Sequence, residues 1–173
     1  MSLYLYELVP AGAVARTLEE LGARAEKEGG ELIEAQVSAG ATRIFAITEF
    51  ASCRAPELPA ADLLADSVDG PHEVRLVGAD TATIKAARPT AGYLVEWDIP
   101  AEIDMDTYLA RKKANAPKYA DVPEVSFLRT YVREDTAKCL CFYDAPDEAA
   151  VRRARDAVST PVDRLHELTD PRI

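Results

Sequence analysis

Histidine is almost missing from this 173-residue chain, which has two, His72 and His166, beside one tryptophan, two methionines and three cysteines. That scarcity removes the commonest metal ligand and the commonest general base from most of the sequence. Basic residues are short as well: 20 Lys and Arg face 30 Asp and Glu, a net charge of −10. The excess of acid is spread over both halves, and such a surface repels phosphate backbones, so nucleic acid is not an expected partner. No apolar run approaches the ~18–20 residues that span a bilayer, so no membrane partner is expected either. The start, Met1-Ser2-Leu3-Tyr4-Leu5-Tyr6-Glu7, has no basic segment ahead of an apolar one, which reads against a secretory signal and makes the cytoplasm the expected location. Cys53, Cys139 and Cys141 are odd in number, which argues against a disulfide framework. No phosphate-cradling glycine motif, nucleophile elbow or His-Glu-x-x-His pair occurs. No catalytic residue is assigned on sequence grounds, and no cofactor is expected.

What is present is an internal repeat. Tyr4-Leu5-Tyr6-Glu7-Leu8-Val9-Pro10 matches Tyr93-Leu94-Val95-Glu96-Trp97-Asp98-Ile99-Pro100 with one insertion. Both read as strands stopped by proline, which cannot donate to a sheet ladder. The pattern of elements then repeats. Residues 14–28 have helical periodicity, residues 31–38 and 42–51 read as strands, 60–66 as a short helix and 72–77 as a closing strand. In the second half 107–115 reads as helix, 124–133 and 137–143 as strands, 146–157 as helix and 163–168 as strand. Residues 78–90 connect the halves. Each half is thus a β-α-β-β-α-β unit, and the expected fold class is α+β: tandem ferredoxin-like halves, 1–88 and 89–173, with mainly antiparallel sheets. Cys139, Cys141 and Tyr143 alternate with Leu140 and Phe142, and both sets are apolar enough to be covered. Two sheets packed face to face would cover them.

Residues 91–170 resemble the DUF4242 family of small proteins of unknown function. The resemblance rests on the strand 93–100, on Phe127-Leu128-Arg129-Thr130-Tyr131-Val132, on the run from Cys139 through Asp144-Ala145-Pro146-Asp147 to Arg153, and on Pro161-Val162-Asp163-Arg164. It implies a ferredoxin-like chain of the dimeric α/β-barrel type, with duplication standing in for the dimer, so that a monomer or weak homodimer is expected. One branch of that family is nickel-binding and histidine-rich. Its histidines fall at positions occupied here by Arg155 and Thr160, and arginine does not coordinate metals. No metal site is expected: a set of His166, Cys139, Cys141 and Glu96 matches no closed zinc or nickel spacing.

The function expected is small-ligand binding between the two sheets. A dimeric α/β-barrel enzyme (monooxygenase or isomerase) and a regulatory or structural association module are the alternatives. Glu7 and Glu96 occupy the same repeat position in mid-strand, where a carboxylate is costly unless paired. Arg43, Arg129, Arg133, Tyr131 and Tyr143 are the partners considered; left unpaired, the carboxylate could act as a base. The candidate ligand-binding set is Glu7, Glu96, Arg129, Tyr131, Cys141 and Tyr143. Arg152, Arg153 and Arg155 read as a solvated helix face, Cys139 and Cys141 as two small buried side chains.

Overall fold

The computed structural model describes residues 1–171. It has eight strands: β1 (Ser2–Pro10), β2 (Gly30–Ser38), β3 (Ile44–Phe50), β4 (Ala65–Val77), β5 (Tyr93–Asp98), β6 (Ser126–Arg133), β7 (Lys138–Asp144) and β8 (Arg164–Thr169). Its four helices are α1 (Val14–Lys27), α2 (Thr81–Ala87), α3 (Met105–Asn115) and α4 (Glu148–Ala157). The chain divides into two compact units. One takes Met1–Val74, Asp80–Thr90 and the stretch from Leu168; the other takes Arg75–Ala79 and Ala91–Glu167. None of the helices is long and apolar enough to cross a membrane.

In the first unit β1 pairs antiparallel with β3 and β4, and β3 with β2. The helix side of this sheet is an apolar cluster in which Leu21 and Ala25 of α1 meet Tyr6, Leu8, Ile44, Ala46 and Phe50. Two expectations are corrected here. The helix read over 60–66 shrinks to a single 3-10 turn, Ala60–Leu63, and the closing strand starts at Ala65 rather than at His72. The added stretch contains Pro71, which cannot donate to a ladder. The strand passes through it with a register shift against β1 between Leu5 and Glu7. Gly70 makes that path possible: its φ is +124°, and a Cβ there would sit 2.5 Å from the Leu5 carbonyl oxygen. The connector contains α2, capped by Asp80, whose side chain accepts from the Thr83 N–H.

In the second unit β5 lies between β7 and β8, with β6 beyond β7, all antiparallel. Two aspartates start its helices: Asp104 accepts from the Thr107 N–H and Asp147 from the Ala150 N–H, each satisfying an orphan donor of the first turn. Tyr108 of α3 and Ala150, Val151 and Ala154 of α4 pack on Val95, Trp97, Cys139, Cys141 and Tyr143. The opposite face carries Leu94, Glu96, Leu140 and Phe142, all buried. Both faces of the sheet are therefore inside the protein, as the unbroken apolar run Cys139–Tyr143 of β7 suggests.

Candidate functional site

The register of the second unit sorts the sequence-derived candidates onto different faces. Arg129 pairs with Phe142, and Tyr131 and Glu96 both with Leu140. These three side chains share the face away from the helices. Cys141 pairs with Val95 and Thr130, which places it, with Tyr143, on the helix face. Glu7 lies in the first unit, buried on β1 opposite Phe45 and Asp69. The five residues of the second unit do not form one cluster, since alternation along a strand puts successive side chains on opposite faces of the sheet.

Glu96 is fully buried and paired, with partners other than those considered from sequence. Lys138 Nζ donates to Oε1 at 2.8 Å, Arg164 Nε to Oε2 at 2.9 Å and His166 Nε2 to Oε2 at 2.7 Å. Burial alone would raise its pKa. The hydrogen bonds from His166 and Lys138, with the charges of Lys138 and Arg164, outweigh burial and hold the carboxyl well below the usual carboxylate range. It is a clamped anion, and the base role conditional on an unpaired carboxylate is withdrawn. Arg164 also spans to Asp98 through two further bonds, at 2.9 and 2.6 Å. Arg129 is buried with its guanidinium 4.9 Å from the Phe142 ring centroid, and Tyr131 meets the same ring edge-on. The set of His166, Glu96 and the two cysteines is split by the sheet, and no group of three or more His, Cys, Asp or Glu suited to a metal occurs among the described residues.

The helix face holds the more unusual chemistry. Arg155, read as one of three solvated arginines, is 2% exposed. Arg152 and Arg153 do lie outside, on Glu148 and Glu124. Arg155 turns inward from the last turn of α4: Nη1 donates to Cys141 Sγ at 3.4 Å and to the Tyr143 hydroxyl at 3.1 Å, and Nη2 donates to the Pro161 carbonyl at 2.8 Å. The Tyr143 hydroxyl lies 2.7 Å from that of Tyr119. Thr130 Oγ1 donates to Cys141 Sγ at 3.2 Å. The Cys139 and Cys141 sulfurs are 3.8 Å apart, closer than the ~7 Å spacing of alternate residues along a strand, because both side chains stand on one face.

This arrangement polarises the pair. The contact with Cys139, the charges of Lys112 and Arg155 and the bond from the Thr130 hydroxyl together overcome burial and set the Cys141 thiol well below its ordinary range. Cys139 is driven the other way by the same neighbour and by burial. Burial also lifts the Tyr119 phenol to about 12.

A narrow cavity of about 30 Å³ opens on these groups, lined by Trp97, Tyr108, Arg111, Lys112, Tyr119 and Arg155 besides both cysteines. Arg111 of α3 lies over the Trp97 ring at 5.4 Å and donates to the Ser159 carbonyl, so it is held at the rim. Three buried polar atoms of the lining make no hydrogen bond of normal geometry: the Tyr108 hydroxyl, which has only the Cys139 thiol beside it, Arg111 Nε and Arg155 Nε. Buried donors are normally satisfied, and leaving one bare costs ~1–3 kcal/mol. Of the residues named from sequence, Cys141 and Tyr143 belong to this site. Arg155, Tyr108, Thr130 and Lys112 were missed. The replacement of a family histidine by Arg155 was the one sequence signal that pointed to it.

A family model described as "Nickel responsive protein SCO4226-like" matches residues 93–168, the stretch that carries the sequence resemblance. No curated protein matches. Among solved structures, SCO4226 from Streptomyces coelicolor A3(2) matches at 19% identity and TM-score 0.39, over 44% of this chain and 94% of that one. A protein described as a chlorite dismutase, TA0507, matches at 14% identity and TM-score 0.56, over 99% of this chain and 96% of that one. One described as a monooxygenase, from Lactobacillus acidophilus NCFM, matches at 12% identity and TM-score 0.52, over 98% and 93%. The last two share the fold, a mixed α+β chain with antiparallel sheets of the dimeric α/β-barrel kind.

Proposed function

We propose that this chain is a small-ligand-binding protein and that its site is the cavity on the helix face of the second unit. The observation that carries the reading is the set of three buried donors without a well-formed hydrogen bond, Tyr108 Oη, Arg111 Nε and Arg155 Nε, on side chains lining one cavity. They suit an oxygen acceptor. The volume, about 30 Å³, suits a molecule of very few heavy atoms. Arg155 is already offset by Cys141, which favours a neutral polar ligand over a strong anion. The site lies on the opposite side of the sheet from the one expected on sequence grounds.

Formamide, methanol and formate are suitable probes, followed by NMR on the Tyr108 ring and the Arg155 Nε–H. The expected result is saturable perturbation of both by the neutral probes, lost in Ala116→Leu, which adds bulk at a lining residue of the cavity. Shifts that are uniform over the chain and do not saturate, or that persist unchanged in Ala116→Leu, would overturn the assignment.

Nickel does not fit this site. Its two sulfurs lie beside Arg155, with Arg111 and Lys112 also in the lining, and a dication would meet like charge. Calorimetric titration at neutral pH is expected to show no stoichiometric nickel. A micromolar site lost in Cys141→Ser would refute that expectation.

A further inference from the structure

Cys141 differs from an inert core cysteine in what surrounds it. Three polar groups converge on its sulfur: the donors Thr130 Oγ1 at 3.2 Å and Arg155 Nη1 at 3.4 Å, and the Cys139 sulfur at 3.8 Å. All come from the sheet or from α4, and all are buried. The sulfur sits in the wall of a cavity that admits little more than a water-sized molecule, and the same wall supplies three donors without a well-formed bond, on Tyr108, Arg111 and Arg155. A hydrogen-bonded, cation-paired sulfur beside unused donors is the arrangement that nucleophilic attack on an O–O bond requires. The attacking atom carries negative charge, and the departing oxygen acquires it.

We infer that Cys139 and Cys141 form a peroxide-reducing thiol pair, with Cys141 as the attacking sulfur, Cys139 as the resolving one, and hydrogen peroxide rather than bulkier hydroperoxides as the substrate class. The inference rests on the cavity being the ligand site. In the first step the Cys141 thiolate sulfur bonds one peroxide oxygen and the O–O bond breaks. Its electron pair leaves with the other oxygen, which takes a proton from solvent and departs as water. Sulfur is oxidised by two electrons to a sulfenic acid, and the peroxide is reduced. In the second step the Cys139 sulfur attacks the sulfenic sulfur. The S–S bond forms, the S–O bond breaks, and the hydroxyl leaves as water with the proton of Cys139. The sum is two thiols and one hydrogen peroxide giving one disulfide and two waters.

The geometry sets the roles. Arg155 and Thr130 both direct their hydrogen bonds to Cys141, which makes it the nucleophile. Tyr108 and Arg155 Nε are placed to donate to the peroxide oxygens. The sulfurs must close from 3.8 Å to about 2.0 Å, and a bridge between alternate residues of one strand is strained and readily reduced. The oxidised pair is therefore returned to thiols by an ordinary small thiol such as dithiothreitol. Lys112 and Arg111 of α3, Tyr119 and Tyr143 are the other charged or titratable groups at the site.

The test uses full-length Cys53→Ser, which removes the exposed thiol. On exposure to stoichiometric hydrogen peroxide, intact mass is expected to fall by about 2 Da, and dithiothreitol should reverse the change. Adding Cys139→Ser should arrest the reaction as a gain of about 16 Da, trapped by dimedone. Adding Cys141→Ser should abolish it. The rate should exceed that of free cysteine by roughly 100-fold, and tert-butyl and cumene hydroperoxides should react at least about tenfold more slowly than hydrogen peroxide. Arg155→Met and Thr130→Val should each slow the first step by about tenfold or more, with Arg155→Lys partly restoring it. Thr130→Val guards against the case in which Arg155→Met does not fold. A rate no faster than free cysteine, or equal rates for the Cys139→Ser and Cys141→Ser proteins, would overturn the inference. If the probes still bind in that event, the thiol chemistry fails and the ligand site stands. If neither probes nor peroxide engage the cavity, both fail.

Discussion

The two units place a helix against an antiparallel sheet in the same way and fill the space between with different chemistry. In the first unit α1 meets tyrosines, aliphatic side chains and Phe50. The Tyr6 hydroxyl there ends on the Pro56 carbonyl at 2.6 Å. In the second unit the comparable layer holds Cys139, Cys141, Tyr143 and Arg155 in a bonded network, beside Tyr108. A buried arginine costs far more desolvation than a buried leucine, and stability alone would favour the apolar filling. The difference teaches that the first unit's core is built to hold the sheet, whereas the second's spends stability on a site.

The comparison sharpens when each core is truncated. Leu21→Ala in the first unit is expected to cost about 3 kcal/mol, the typical price of an aliphatic truncation in a closed core, with no dependence on pH. Arg155→Met in the second is expected to cost about 2 kcal/mol, because Cys141 can take up a proton once its cation is gone. That loss should vary with pH, with the following sign. The Cys141 thiol is depressed in the folded protein, so its thiolate contributes stability that is fully present above the unfolded thiol range, near ~8.5, and is lost as pH falls through the lower folded value. The gap between wild type and Arg155→Met should be widest near pH 9 and narrow toward pH 6, as read by urea unfolding at each pH. A gap that is flat with pH, like that of Leu21→Ala, would erase the distinction between the two cores.

Much of the fold was legible from sequence. The paired segments starting at Tyr4 and Tyr93, the helices starting near Val14 and Asp104, and the alternation of Cys139, Cys141 and Tyr143 against Leu140 and Phe142 all follow from local periodicity and capping. β4 runs seven residues further toward the N-terminus than the strand read from sequence, and only its neighbour on β1 shows how the ladder shifts around Pro71. The site was less legible. Alternation already separated Glu96 from the Val95 face, so the two-sided candidate set could have been divided in advance. The burial of Arg155 could not: its sequence neighbours Arg152 and Arg153 are exposed, and one residue of helical rotation decides the outcome. The partners of Glu96 come from β7 and β8, 42 to 70 positions away, and nothing in one sequence records that proximity.

The smallest expected effect separates the units most cleanly, because it changes one atom in each. Tyr6 and Tyr108 are both buried tyrosines lying between helix and sheet. Tyr6 Oη has the Pro56 carbonyl as acceptor; Tyr108 Oη makes no hydrogen bond of normal geometry and has only the weakly accepting Cys139 thiol beside it. Removing a satisfied hydroxyl forfeits its hydrogen bond and strands the acceptor, so Tyr6→Phe should cost about 1 kcal/mol. Removing an unsatisfied one relieves a desolvated dipole, so Tyr108→Phe should be neutral or stabilising by up to about 1 kcal/mol. A residue kept against that gain is kept for another reason, and the same Tyr108→Phe protein should lose saturable binding of formamide. Chemical denaturation of the two variants at neutral pH, with the binding measurement on the second, decides the matter. Equal destabilisation by both substitutions would mean that Tyr108 is an ordinary core tyrosine and that the contrast between the cores is one of composition alone.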